Sequence, residues 1–244
     1  MDPNRLGFFR RFLKFNEVPV STSDSQSEMQ AEALIRHLLK EARTKEAWDV
    51  PLLETRFVVV DTETTGFNPN TDVLIAIGAI EMIGDQIVPA RTYHSLIRPE
   101  PERMIPPVVV KLTGIRNEDV ATAAELSKVL HEFLDFAKDA VLVMHHSSHD
   151  VRFLNAALWL KSRTHLTHRV IDTFDVAKWL RPSLNQYGLD ELLATYQIPV
   201  EGRHTALGDA RMTGQLWKLL IHESIEKGVS TLGDLYEQIV LSKR

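Results

Sequence analysis

Two acids stand two residues apart in Asp61-Thr62-Glu63-Thr64-Thr65-Gly66, directly after the apolar run Phe57-Val58-Val59-Val60. Residues i and i+2 of a strand leave the same face, so Asp61 and Glu63 send their carboxylates to one place. Adjacent anions repel unless a cation lies between them. So short a pair also occurs as two solvated acids at a strand end, and its meaning rests on what accompanies it. Gly66 adds room for backbone to approach a ligand.

Asp150 is the next acid of interest. It follows the apolar run at 140–144 and the polar segment His145-His146-Ser147-Ser148-His149, and it opens a helix whose buried side holds Phe153, Leu154, Ala157 and Leu158. A carboxylate in a first helical turn is favoured by the helix dipole alone. Further on stands His204-Thr205-Ala206-Leu207-Gly208-Asp209-Ala210. Thr205 reads as an N-cap, leaving His204 just outside the helix and Asp209 in its second turn. On one continuous helix a five-residue spacing would set the two about 140° apart, whereas a loop histidine can swing over a site that the aspartate anchors. The small residues Ala206, Gly208 and Ala210 let that helix approach a sheet or a ligand closely.

The elements that position these groups follow from apolar patterning. Strands are expected near 57–61, 73–82 and 87–97, the latter two joined by a Gly84-Asp85 turn, which suggests an antiparallel meander. Helices near 124–138, 149–161, 174–180, 188–196 and 205–222 then alternate with short strands at 140–144 and 170–171. Hairpin strands followed by alternating helix and strand imply an α/β fold with a mixed sheet flanked by helices. Ahead of this unit, Ser27 and Gln30 have the spacing of a capping box, with Met29, Ala33, Leu34, Leu38 and Ala42 on the expected apolar face. The chain thus divides into a flexible basic and polar segment (1–26), a helical arm (27–53), the main domain (54–222) and a helical tail (223–244) starting at Ser230 or Thr231.

With 244 residues, 44% hydrophobic and 25% charged, the chain can bury one sizeable core. It has no cysteine, so any metal must be held by carboxylate, imidazole or water, which favours a hard divalent ion. A net charge of -5 disfavours a protein that grips nucleic acid along its length, but not one that holds a strand end through bound cations. Arg5, Arg10, Arg11 and Lys14 interrupt the apolar N-terminus, so no signal peptide or transmembrane segment is expected, and a cytoplasmic protein follows. The basic, aromatic stretch Phe8–Phe15 offers a docking element for a membrane surface or a partner.

Taken in order, Asp-x-Glu on a first strand, Asp at a helix start and His-x4-Asp on a late helix resemble the DEDDh (DnaQ-like) 3′→5′ exonucleases. These include the proofreading subunit of bacterial DNA polymerase III. The resemblance runs over about residues 55–222 and takes in Leu112-Thr113-Gly114-Ile115, Asp172-Thr173 and Gly188-Leu189. It implies an RNase H-like fold with a five-stranded mixed sheet. It further implies two Mg²⁺ or Mn²⁺ ions, one on Asp61, Glu63 and Asp209 and one shared by Asp61 and Asp150, with His204 as general base. The substrate is then a single-stranded DNA or RNA 3′ end, met by Thr64, Thr65, Gly66, Phe67 and His145, with Phe67 either stacking on the terminal base or packed in the core. A polymerase or repair partner would dock through the N-terminal arm, and a homodimer is compatible. The second motif departs from the family, with His146 in place of asparagine and His149 in place of an aromatic. Two other readings share the fold: an inactive nucleic-acid- or polymerase-binding module, and an endonuclease that cuts within a strand.

Overall fold

The computed structural model describes residues 22–43 and 48–243, and the Phe8–Phe15 stretch lies outside them. Helix α1 (Thr22–Arg43) precedes three long strands, β1 (Arg56–Thr64), β2 (Leu74–Ile83) and β3 (Gln86–Arg98). Two short helices follow, α2 (Pro107–Thr113) and α3 (Asn117–Ala121), then β4 (Ala124–Glu125), α4 (Leu126–Ala137), β5 (Val141–Met144) and α5 (Ser148–Ser162). The chain continues through β6 (Val170–Asp172), α6 (Thr173–Leu180), α7 (Leu189–Thr195), α8 (Ala206–Glu226) and α9 (Leu232–Ser242).

The strands form one mixed sheet in the order β4-β3-β2-β1-β5-β6, helix-flanked as the patterning requires. β1 pairs antiparallel with β2 and parallel with β5, so the sheet changes sense at β1. Its sixth strand exceeds the expected five: β4 is two residues long, paired with Ile97 and Arg98, and too short to leave a periodic trace. Helices α2 and α3 were also not foreseen. Both are brief, and α2 starts on Pro107, where the fixed proline φ suits a first helical turn.

β1 is the central element, and its alternation organises both faces. Phe57 and Val59 point to a core shared with Met212, Leu216 and Trp217 of α8. Val58 and Val60 point to the opposite core, with Phe133 of α4 and Phe153 and Leu154 of α5. Continued past Val60, this alternation sends Asp61 and Glu63 toward α8 and Thr62 toward α5.

Helix α1 packs on α4 and α5 by a buried stripe that shares only Leu38 with the expected one. Ile35, Leu38 and Leu39 are buried, while Met29 and Leu34 are exposed. Ser27 lies inside α1, so it cannot cap it; the helix begins five residues earlier, in a polar run rich in residues that favour helix starts. The tail helix α9 does begin at the expected place, capped by Thr231 in a box with Asp234, and buries Leu232, Leu235 and Ile239.

The approach of α8 to β2 is set by missing side chains. A Cβ on Gly78 would stand 2.2 Å from the Ala206 carbonyl carbon, and one on Gly214 would stand 2.6 Å from Ile80 Cδ1. Gly78 is also the register partner of Asp61, so this contact fixes the height of the α8 N-terminus beside the first motif. Gly78→Ala is expected to cost about 1–3 kcal/mol, as overpacking does, because backbone rather than a flexible side chain must yield. Gly214→Ala should cost less, since it meets only the end of Ile80. Urea unfolding of both variants checks the order.

Candidate active site

Asp61, Glu63 and Asp209 come together at the carboxyl end of β1, with one ligand oxygen from each within 4.8 Å of the others. Strand alternation aims the first two, and the close seat of α8 brings the third. Asp209 stands in the first turn of α8 rather than the second. Thr205 caps that helix, its hydroxyl accepting from the Gly208 N–H at 3.2 Å. His204 lies just outside, as its position before the cap requires, with a left-handed backbone (φ 61). Its N–H donates to both oxygens of Asp209 at 3.3 Å.

Asp150 reaches the site from the other face of the sheet. It is buried in the first turn of α5, and its Oδ1 accepts from the Thr62 hydroxyl at 2.6 Å and the Thr62 N–H at 3.0 Å. Thr62 thus holds the fourth acid just behind the other three. Asp150 is outside the tight triplet of oxygens, yet its charge is felt by both Asp61 and Glu63.

Burial shifts every one of these acids upward, and at Asp61 and Glu63 the neighbouring charges add to it. Burial, then the charges of Asp150, Asp209 and Glu63, hold the Asp61 carboxyl well above the usual range. Burial and the charges of Asp209 and Asp150 push Glu63 up to about 7. Asp150 also rises to about 7, mainly through burial. Burial raises Asp209 too, against the opposing charge of Arg203. Buried groups held this way favour either protons or a cation among them.

The donor set fits a divalent ion. All the converging atoms are carboxylate oxygens, the ligands that hard, oxygen-seeking cations take. Soft thiolate ligands are absent from the whole sequence.

Around this centre the second motif is held by Asp172 at the end of β6. Its carboxylate accepts from the N–H groups of His146 (2.9 Å), Ser147 (2.8 Å) and Phe174 (3.0 Å), and from the Ser147 hydroxyl (2.9 Å). His145 hydrogen-bonds to Thr173 Oγ1 at 2.9 Å. Burial, with His146 and Arg203 nearby, depresses its pKa to about 3, so the ring is neutral at physiological pH. His146, the first departure from the family pattern, is exposed and lies against Phe174, ring centroids 4.6 Å apart. His149, the second, sits between Phe153 (4.8 Å) and Phe67 (5.8 Å), with Nε2 3.3 Å from Thr64 Oγ1.

The loop after β1 presents Phe67, which is 84% exposed and therefore not a core aromatic. Thr64 Oγ1 donates to the Gly66 carbonyl at 2.7 Å. Thr65 is buried, and its hydroxyl accepts from the Val73 N–H at 3.0 Å, pinning the loop to the start of β2. A Cβ on Gly66 would meet the Asp72 carboxylate at 2.5 Å.

Sequence reasoning passed over Thr62, Arg203 and Asp190. Arg203 donates from Nη1 to Asp209 Oδ2 at 2.5 Å and from Nε to Asp190 Oδ1 at 2.6 Å. Nothing in a lone arginine before a histidine signals such a contact. Thr62 could have been found, since strand alternation already turns it away from its acidic neighbours.

The RNase_T profile, described as an exonuclease, matches residues 58–217. A DNA polymerase III PolC-type of Streptococcus mutans is 36% identical over 193 residues, 79% of this chain and 13% of that protein. That of Thermotoga maritima is 36% identical over 184 residues, 75% of this chain and again 13% of the relative. The chain thus spans only a small part of these curated relatives. Exonuclease X in complex with 5′ overhanging duplex DNA superposes with a TM-score of 0.59 at 23% identity, covering 75% of this chain and 99% of that one. The nuclease domain of 3′hExo, a DEDDh family member bound to rAMP, gives 0.64 at 18% identity, with 75% and 97% covered. These two share the fold. The family profile, the identity to the PolC-type proteins and the acids and histidine assembled here place this chain in the RNase_T exonuclease family, in its DEDDh (DnaQ-like) form.

Proposed function

We propose that this chain is a 3′→5′ exonuclease that hydrolyses the terminal phosphodiester of DNA and releases nucleoside 5′-monophosphates. The convergence of Asp61, Glu63 and Asp209, with His204 on the turn that abuts Asp209, carries the reading. DNA is the favoured substrate because the relatives that share this segment are DNA polymerases. A polymerase or repair protein is the natural source of the 3′ end, with the N-terminal arm as its docking element.

Asp61, Glu63 and Asp209 would hold one Mg²⁺ or Mn²⁺, and Asp150, behind Asp61, would help hold a second. Such ions, when bound, neutralise the phosphate and the carboxylates and make water a better nucleophile at neutral pH. His204 accepts the proton of the attacking water, a task suited to an imidazole near neutrality. Phe67 stacks on the terminal base, with His149 supporting its ring. Thr64, Thr65 and Gly66 shape the loop that presents it, and neutral His145 offers a hydrogen-bonding edge beside the second motif.

The decisive assay is digestion of 5′-labelled single-stranded DNA and RNA by purified protein, with Mg²⁺, Mn²⁺ or chelator. A metal-dependent ladder shortening from the 3′ end is expected, with DNA cut faster; cleavage that persists when the 3′ end is covalently blocked would indicate an endonuclease. Asp61→Ala should abolish turnover. His204→Ala should lower kcat by roughly 10²–10⁴-fold, the usual worth of general-base catalysis, while its metal-induced thermal shift stays that of the parent. Phe67→Ala should act mainly on KM, losing about 1–3 kcal/mol of stacking.

The raised carboxyls also set a pH dependence. A carboxyl whose folded pKa exceeds its unfolded value contributes its stability below the unfolded pKa and loses it as pH rises through the folded one. Glu63 and Asp150, at about 7, therefore destabilise the metal-free protein across neutrality. His145 and His168, depressed by burial to about 3 and about 4, act in the opposite direction but below the unfolded histidine value. Between about pH 7 and pH 8 the opposing effect of these histidines, and of His94 and His149, which burial also depresses, has largely faded while the carboxyls are still losing theirs. The melting temperature in chelator should fall across that window, and the gain on adding Mn²⁺ should grow. A flat or rising profile in chelator would contradict the assignment.

A further inference from the structure

The carboxylate cluster has a cation of its own. Among the described residues, Arg203 is the basic side chain whose charge acts on Asp61, Glu63 and Asp209 alike. Its side chain is only 25% exposed, and it is held on two sides. On one, Asp190 of α7 receives Nε at 2.6 Å and Nη2 at 3.3 Å, gripping one edge of the guanidinium. On the other, the remaining Nη1 donates to Asp209 Oδ2 at 2.5 Å.

The backbone that carries Arg203 is fixed as well. Gly202 (φ 68) and His204 (φ 61) flank it in left-handed conformations. The Gly202 carbonyl accepts from the Thr205 hydroxyl at 2.6 Å and from the Thr205 N–H at 3.3 Å. The guanidinium is thus aimed by a braced turn and by a carboxylate outside the cluster. Asp190 lies in the first turn of α7 with a largely exposed side chain, so its tether costs little desolvation.

We propose that Arg203, tethered by Asp190, is the built-in counter-ion of the cluster, and that a divalent cation must displace it from Asp209 in order to bind. This rests on Asp209 being a metal ligand, as the proposed function has it. A guanidinium and a metal ion are rivals for the same carboxylate oxygens and repel each other as like charges. When metal is absent, Arg203 offsets part of the repulsion among the buried acids and so helps the empty cluster stay folded. When metal arrives, breaking the Arg203–Asp209 contact subtracts from the binding free energy. Arg203 is on this account a positioning residue, and it makes the site less retentive of metal than its carboxylates alone would be.

The test is calorimetric titration of Mn²⁺ into the chelator-stripped 244-residue chain, wild type against Arg203→Gln and Arg203→Lys, paired with thermal melts in chelator. Arg203→Gln should bind Mn²⁺ roughly fivefold tighter, the equivalent of releasing a partly exposed ion pair. It should also melt at a lower temperature than wild type in chelator and gain more on adding Mn²⁺. Arg203→Lys should fall between, because an ammonium keeps the charge but cannot span both aspartates as a planar fork. Unchanged or weaker Mn²⁺ binding by a folded Arg203→Gln protein overturns the proposal. If Arg203→Gln does not fold, Arg203→Lys decides by the same comparison: tighter than wild type upholds the proposal, equal or weaker overturns it. Wild type that binds no Mn²⁺ overturns this inference and the active-site reading beneath it, whereas wild-type binding with an unaltered variant overturns this inference alone.

Discussion

Like charges packed into a half-dry corner must be compensated, and much of this protein's architecture is arranged around that requirement. Asp61, Glu63 and Asp209 each carry a pKa raised first by burial; at Asp61 and Glu63 the neighbouring carboxylates raise it further, while at Asp209 Arg203 opposes the rise. A fold that only had to be stable would place hydrophobic or neutral side chains there. Keeping three acids convergent makes sense where a divalent cation supplies the missing charge and, through it, a phosphate can approach. The same logic reconciles a chain of net charge -5 with a polyanionic substrate. In the proposed function the needed positive charge is local and borrowed, so no broad basic surface is required.

Bringing those acids together depends on two plain geometrical facts. The period of a strand sorts the residues of β1 to opposite faces, so that the acids join the α8 side while Thr62 turns back to hold Asp150. The absence of a side chain at Gly78 then lets α8 settle against β2 opposite Asp61. Neither fact is chemical in itself. Each converts a position in sequence into a position in space.

How much of this the sequence disclosed follows from the range of each interaction. Asp61 and Glu63 were legible because strand periodicity is local, and Thr205 and Thr231 because N-caps have short, specific chemistry. The resemblance supplied the long-range grouping of Asp150, Asp209 and His204 with the first motif, which no local rule could. What escaped was set by tertiary packing. The buried stripe of α1 is Ile35, Leu38 and Leu39 because α4 and α5 meet it there, although Met29 and Leu34 fit a helical face equally well on paper. The pairing of β4 with β3 spans two residues, below the length at which alternation can be recognised. Arg203 was invisible because its partner Asp190 stands on a different helix, joined to it only by the folded turn.

Two histidines show what the site spends on its geometry. His146 and His204 both adopt left-handed backbone conformations, φ 55 and φ 61, which non-glycine residues seldom adopt and which histidine tolerates better than most. Such strain costs of order 1–3 kcal/mol per residue and persists only where the surroundings over-determine it. In each case a carboxylate does so by accepting the histidine's own N–H: Asp172 for His146 at 2.9 Å, Asp209 for His204 at 3.3 Å. The parallel has an asymmetry. Asp172 holds the loop through three donors and the start of α6 through a fourth, whereas Asp209 is shared between the His204 N–H and Arg203 and, in the proposed function, the cation. The second motif is therefore held by a carboxylate that also caps α6, while the turn bearing His204 is held by a carboxylate that, in the proposed function, also meets the cation. On the proposed function, occupancy of the site and placement of His204 are linked through a single carboxylate.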